Sequence, residues 1–171
     1  MKQVRAVVTL LRLVWHMLLG RREIQKHFER YSAQEREQAI QRWAQHSLKL
    51  LGVSLAVQGQ PAQHGPTLLV ANHISWLDIM VVNAARPCRF VSKADVKQWP
   101  LLGPLVVGAG TLFIERESRR DALRVVHVMA ERLRAGDVLA VFPEGTTSDG
   151  TGLLPFHANL LQAAVSAHTP V

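Results

Sequence analysis

At 171 residues, 48% of them hydrophobic, the chain has enough apolar material for one domain with a real core. Its single cysteine, Cys88, excludes an internal disulfide framework and fits a reducing compartment. The net charge of +7 calls for a partner, but aromatic content is only 6% and no basic run is interleaved with stacking residues. That pattern argues against nucleic acid and for a membrane surface.

The first twenty residues are apolar after Met1-Lys2-Gln3-Val4-Arg5, interrupted only by Thr9, Arg12 and His16. Positions 5, 9, 12 and 16 follow the helical period, so the polar groups form one narrow stripe. A span of this length with Arg12 near its centre is too short to cross a bilayer. Gly20 runs into Arg21-Arg22-Glu23 with no small-residue cleavage site, which argues against a signal peptide. The spacing predicts a helix lying in the membrane interface, Trp15 at headgroup depth and arginines toward anionic lipid. The alternative is a helix packed on the protein's own core. Next, Ser32-Ala33-Gln34-Glu35 has the form of a capping box, and Ile40, Trp43, Ala44, Ser47, Leu48 and Leu51 recur at helical spacing up to Gly52. Trp43 and the leucines serve either helix packing or a wider membrane-facing surface.

Val53–Val57 alternates like a half-exposed strand, and residues 59–66 form a loop. Strands are then expected at Thr67–Ala71, Arg89–Ser92, Thr111–Ile114 and Val138–Phe142. Between and after them come helices from about Asp78, near Ala94–Gln98, from Arg119 to Ala135 and near Ala158–Ala167. In the long one, Ala122, Val125, Val126, Met129, Ala130 and Leu133 share a face. This alternation predicts an α/β fold with a mixed, largely parallel sheet covered by helices and an N-terminal amphipathic helical segment. The organisation expected is membrane-interface helices over 1–52 and an α/β domain over 53–171.

Three apolar strands end in groups that carry chemistry. The first delivers Asn72-His73-Ile74-Ser75-Trp76-Leu77-Asp78, the next Glu115-Arg116, and the last Pro143-Glu144-Gly145-Thr146-Thr147-Ser148. In a parallel sheet the ligand crevice lies beyond the carboxyl ends of the strands. A histidine whose Nδ1 proton is held by Asp78 presents a basic Nε2, which is how a general base is prepared. Ser75, the rival nucleophile, lacks the Gly-x-Ser-x-Gly elbow, so a hydrogen-bonding role suits it better. A metal site of His73, Asp78 and Glu144 matches no zinc spacing. Cys88, in Arg86-Pro87-Cys88-Arg89, has no acyl-transfer motif around it. Arg116 offers a fork suited to phosphate, or else an ion pair with Glu115, Glu117 or Asp121. Lys93 and Lys97 either add charge at the pocket mouth or are solvated.

From Leu68 onward the chain resembles the glycerolipid acyltransferase family, best known for its 1-acylglycerol-3-phosphate acyltransferases. The likeness rests on a His-x4-Asp block (His73 to Asp78), a Gly-x-x-Phe-x-x-Arg block (Gly110 to Arg116) and Phe-Pro-Glu-Gly-Thr (Phe142 to Thr146). Thr169-Pro170-Val171 resembles the opening of a fourth block and of a further strand. Members usually run longer, so the resemblance implies a chain incomplete at its C-terminus.

The resemblance implies transfer of an acyl group from acyl-CoA or acyl carrier protein to a membrane lipid hydroxyl, with no cofactor, no metal and no acyl-enzyme. His73 and Asp78 would be catalytic, and Arg116, Glu144, Gly145, Thr146 and Gly110 would bind substrate. The expected location is the inner membrane, peripheral or monotopic, with the site facing the cytoplasm. Two departures bear on the acceptor. Thr147 stands where phosphatidic-acid-forming members often have arginine, and Phe156-His157-Ala158-Asn159 replaces Phe-Lys-x-Gly. Phe-Pro-Glu-Gly-Thr-Thr-Ser-Asp-Gly also resembles the acyltransferases that complete ornithine lipids, whose acceptor has no phosphate.

Overall fold

The computed structural model of the protein describes residues 2–61, 64–114 and 119–171, without the side chains of 119, 120 and 122. The chain divides into two compact units. One comprises Met1–Gln60, Met80–Pro87 and Asp95–Ala109, the other Pro61–Ile79, Cys88–Ala94 and Gly110–Val171.

The first unit is helical. Helix α1 runs over Lys2–His27 and α2 over Ala33–Leu51. Helix α1 continues seven residues past the apolar stretch that ends at Gly20, from Arg21 through His27. With 26 residues it is long and apolar enough to cross a membrane by length and composition, which corrects the expectation that it is too short. The capping box of α2 forms as expected. The Glu35 N–H donates to Ser32 Oγ at 3.3 Å, and the Ser32 N–H donates to Glu35 Oε2 at 2.7 Å. Gly52 closes α2 in the left-handed region at φ 71°.

Trp43 serves helix packing. Its indole stacks on the His16 imidazole, centroids 4.9 Å apart, and its Nε1–H donates to the His16 carbonyl at 3.3 Å. This approach requires Gly20, where a Cβ would sit 2.5 Å from Trp43 Nε1. Opposite that contact, Val4, Val7, Val8, Leu11, Trp15 and Leu18 are all exposed along one apolar side of α1.

Helix α3 spans Leu77–Ala85, and its last carbonyls accept from α2: Gln41 Nε2 donates to Ala84 and Ala85, and Gln45 Nε2 to Ala84, each at 3.2 Å. Helix α4, Leu102–Gly108, lies in a stretch for which no element is expected from the sequence. Proline is tolerated in a first turn, where its missing N–H has no helical partner. Residues 53–57 are not a strand, contrary to expectation. They have no ladder partners among the described residues, and Val53, Leu55 and Val57 line a groove of about 500 Å³ with Gln41, Gln45 and Leu48. Their alternation thus reflects a one-sided apolar contact and not sheet pairing.

The second unit holds a four-stranded sheet of β1 (Thr67–Val70), β2 (Arg89–Lys93), β3 (Leu112–Ile114) and β4 (Val138–Val141), in the order β1-β4-β2-β3. Every pairing is parallel. The sheet is therefore wholly parallel among the described strands, where a mixed one was allowed for. Helices α5 (Arg119–Arg134) and α6 (Ala158–Ala167) pack with each other and the sheet. Leu68, Leu139, Val141, Met129, Leu133 and Ala163 are nearly or wholly excluded from water in that core. β4 is buried along its whole length, as a central parallel strand must be. The Leu68 N–H donates to the Pro170 carbonyl at 3.0 Å, so residues 169–171 reach β1 by one bond without forming the expected strand.

Candidate active site

The site lies in the second unit, where β1 and β4 end side by side. Val70 pairs with Val141, so the residues after each strand emerge together. From β1 the chain runs through Ala71 and Asn72 to His73; from β4 it runs through Phe142 and Pro143 to Glu144 and Gly145.

Asp78, in the first turn of α3, accepts three hydrogen bonds on a single oxygen. Its Oδ2 lies 2.8 Å from His73 Nδ1, 2.7 Å from the Ile74 nitrogen and 2.9 Å from the Ser75 nitrogen. The five-residue spacing is what lets the helix start fold back onto the turn that carries the histidine. Burial works to raise the Asp78 pKa, yet the N–H groups of Ser75 and Ile74 and the His73 imidazole outweigh it. The carboxyl is held below the ordinary range and stays ionised. A carboxylate acceptor at Nδ1 keeps the proton there and leaves Nε2 with a lone pair. Nε2 has no hydrogen-bond partner among the described residues.

The imidazole also lies flat on the Phe142 ring, centroids 4.1 Å apart and planes 10° from parallel. Phe90 extends the stack at 5.6 Å. The parallel stack fixes the plane of the imidazole, so Phe142 orients His73 as Asp78 does from the Nδ1 side. In the sequence Phe142 stands only as part of the Phe-Pro-Glu-Gly-Thr block; an aromatic at the end of the strand beside the one that delivers His73 is the signal that marks it.

Glu144 is buried, and each of its carboxylate oxygens accepts a backbone N–H. Its Oε2 accepts the His73 N–H at 2.5 Å and its Oε1 accepts the Leu154 N–H at 2.9 Å. Gly145, at φ 72°, turns the chain so that its own N–H donates to the Phe142 carbonyl at 3.1 Å. Thr146 and Thr147 follow, both exposed. The Ser148 N–H donates to the His73 carbonyl at 2.8 Å, and the His157 N–H to the Pro143 carbonyl at 2.8 Å. Ser75 uses its hydroxyl to accept the Leu77 N–H at 3.1 Å, capping α3.

His73, Asp78, Glu144, Gly145 and Thr146 are thus brought together. Gly110 is not among them. It precedes β3, at the end of the sheet where strands begin, and its carbonyl accepts from Arg89 Nη1 at 3.3 Å. Its φ of 74° and the Arg89 guanidinium, which would collide with any Cβ, account for glycine there. Arg89 also pairs with Asp137 at 3.0 Å, as does Arg132 at 2.6 Å. Arg116 lies outside the described residues. Lys93 is exposed at the end of β2, and Cys88 is buried just before that strand.

Residues 54–171 match the family model described as Acyltransferase. The chain is 42% identical over 138 residues to the 1-acyl-sn-glycerol-3-phosphate acyltransferase of Neisseria gonorrhoeae, covering 80% of this chain and 54% of that protein. It is equally 42% identical over 125 residues to the lyso-ornithine lipid O-acyltransferase of Rhizobium meliloti, covering 73% of this chain and 43% of that one. The chain spans about half the length of these curated relatives. Its fold is similar to the crystal structure of the 1-acyl-sn-glycerophosphate acyltransferase PlsC from Thermotoga maritima, with a TM-score of 0.76 at 21% identity, over 99% of this chain and 75% of that one. With His73, Asp78 and the Phe142–Thr146 turn assembled at the strand ends of such a fold, the chain belongs to the acyltransferase family.

Proposed function

We propose that this chain transfers a fatty acyl group from a thioester of coenzyme A or acyl carrier protein to the free hydroxyl of 1-acylglycerol-3-phosphate, giving phosphatidic acid. The observation that carries this reading is the His73–Asp78 pair, with Nδ1 anchored and Nε2 unpartnered. The acceptor hydroxyl gives its proton to Nε2 as its oxygen attacks the thioester carbonyl. Asp78 stabilises the imidazolium that forms. The tetrahedral intermediate collapses with loss of thiolate, which takes the proton back from Nε2, so the histidine is regenerated and no acyl-enzyme is required.

Arg116 is the proposed phosphate ligand, through its bidentate fork. Gly145 and Thr146, next in the chain after Glu144, are proposed to contact the acceptor. Glu144 contributes by tying the His73 turn to the loop after β4. The exposed apolar side of α1 supports membrane association of residues 1–52 at the inner membrane, with the site on the cytoplasmic side and residues 53–171 carrying the chemistry.

Lyso-ornithine lipid is the second acceptor reading, favoured by Thr147 and His157 and by equal identity to relatives of that name. Detergent-solubilised protein supplied with a labelled acyl thioester and each lysolipid in turn tests the choice. Product from lysophosphatidic acid alone supports the first reading, and product from lyso-ornithine lipid alone replaces it with the second. No His73-dependent product from either removes both.

A further inference from the structure

Apolar side chains face water around the His73 turn. Ile74 is 47% exposed, Trp76 61%, Leu153 73% and Phe156 40%. They come from two segments, the turn after β1 and the loop after β4. The Ser148 N–H bond to the His73 carbonyl and the His73 N–H bond to the Glu144 carboxylate tie these segments together, and the Leu154 N–H bond to the same carboxylate pins the loop after β4. Gly150 rests against Ile74, where a Cβ would come within 3.2 Å of the isoleucine Cδ1. A loop pinned by its backbone while presenting leucine and phenylalanine to solvent is expensive to leave uncovered, and exposed apolar groups gathered this way mark a contact surface.

We propose that Ile74, Trp76, Leu153 and Phe156 form a lip that dips into the lipid bilayer beside the catalytic histidine, separately from the contact made by α1. The proposal rests on the acyl-transfer reading for its choice of occupant. A lysolipid acceptor keeps its hydroxyl at the glycerol level, so a base that abstracts its proton must work at that depth, and an apolar rim lets it do so without extracting the lipid into water. The segment from Val141 to His157 has no lysine or arginine, so the contact is made by hydrocarbon and not by charge. Asp149 sets its depth: its carboxylate, bonded to the Thr151 N–H and hydroxyl, stays hydrated. The lip therefore reaches only the boundary between headgroups and acyl chains, about 5–10 Å in.

The test uses the full chain with Trp15, Trp43 and Trp99 replaced by phenylalanine, leaving Trp76 as its one tryptophan. It is mixed with phosphatidylcholine vesicles whose chains carry bromine either near the ester or near the terminal methyl. Should loss of Trp43 unfold the protein, the variant retaining it serves, since Trp43 packed on His16 adds a constant background. The expected result is a blue shift and loss of Trp76 emission, greater with bromine near the ester, and both abolished by Leu153→Asp with Phe156→Asp. Emission unchanged by vesicles, or quenching indifferent to the aspartate pair, overturns the proposal. Acyl transfer is assayed separately on the same vesicles: quenching without transfer would retire the catalytic reading and leave the lip in place.

Discussion

The carboxylate of Glu144 accepts the backbone N–H of His73, so the residue that ends the β4 turn fixes the position of the residue that follows β1. Its other oxygen holds Leu154. Each carboxylate oxygen thus holds a backbone N–H, which ties the His73 turn to the loop after β4. In Glu144→Ala two backbone N–H groups lose their partner, at about 1–3 kcal/mol for each that stays buried. Urea denaturation should show this loss, and kcat should fall more than KM rises. Glu144→Gln should also lose stability, because its amide turns a donor toward an N–H. A Gln variant as stable and active as the parent would contradict the positioning role.

His73→Ala should lower turnover by about 10²–10⁴-fold, the usual worth of general-base assistance, without weakening vesicle binding. Asp78→Asn is the more discriminating change. An amide oxygen in place of Oδ2 can still accept from Ile74 and Ser75, so the turn should keep its fold, with a modest fall in melting temperature at neutral pH for the lost carboxylate. The negative charge that stabilises the imidazolium is gone, and turnover should drop within the same range. Because the Asp78 pKa is depressed, its contribution to stability is present above about 3.9 and lost as pH falls through the lower folded value. Asp78→Asn should flatten that acid limb of the stability profile.

The contact between α1 and α2 should weaken in acid. Burial lowers the pKa of His16 and neighbouring His46 adds to this, against the opposing bond with the Trp43 carbonyl. The folded state therefore prefers neutral His16, and its stabilising effect is complete above about 6.5 and declines as pH falls from there toward the folded value. Trp43 fluorescence, in a variant lacking the other tryptophans, should report this transition. His16→Gln should remove it.

Gly110→Ala separates structure from binding. The left-handed φ of 74° costs about 1–2 kcal/mol for alanine, and the Arg89 guanidinium must move besides. Thermal stability should drop while KM for the acceptor is unchanged, since Gly110 stands at the opposite end of the sheet from His73. A raised KM with unchanged stability would return Gly110 to the binding site.

The exposed side of α1 predicts a membrane phenotype of its own. Leu11→Asp and Trp15→Asp each remove an apolar side chain that is more than three-fifths exposed, and neither should disturb the packed side around Gly20. A large side chain moved from water into an apolar phase is worth about 1.5–3 kcal/mol, so each change should weaken vesicle co-sedimentation by about tenfold or more. Equal binding by the double variant would leave α1 without a membrane role.

What local sequence determines in this protein is whatever depends on neighbours along the chain. The capping box at Ser32–Glu35, the stop at Gly52, the buried run of β4 and the bounds of α6 all follow from spacing and residue type. The His73–Asp78 bond was legible for the same reason, since five residues bridge a strand end and a helix start. Tertiary structure decided the rest. It left 53–57 without a sheet partner among the described residues, because a period of two marks one apolar face without saying that a ladder partner exists. It formed α4 across Gly103-Pro104, where position in the first turn removes proline's penalty. It sent Gly110 to the far end of the sheet and stacked Phe142 on His73, since only the parallel order β1-β4-β2-β3 determines which strand ends meet.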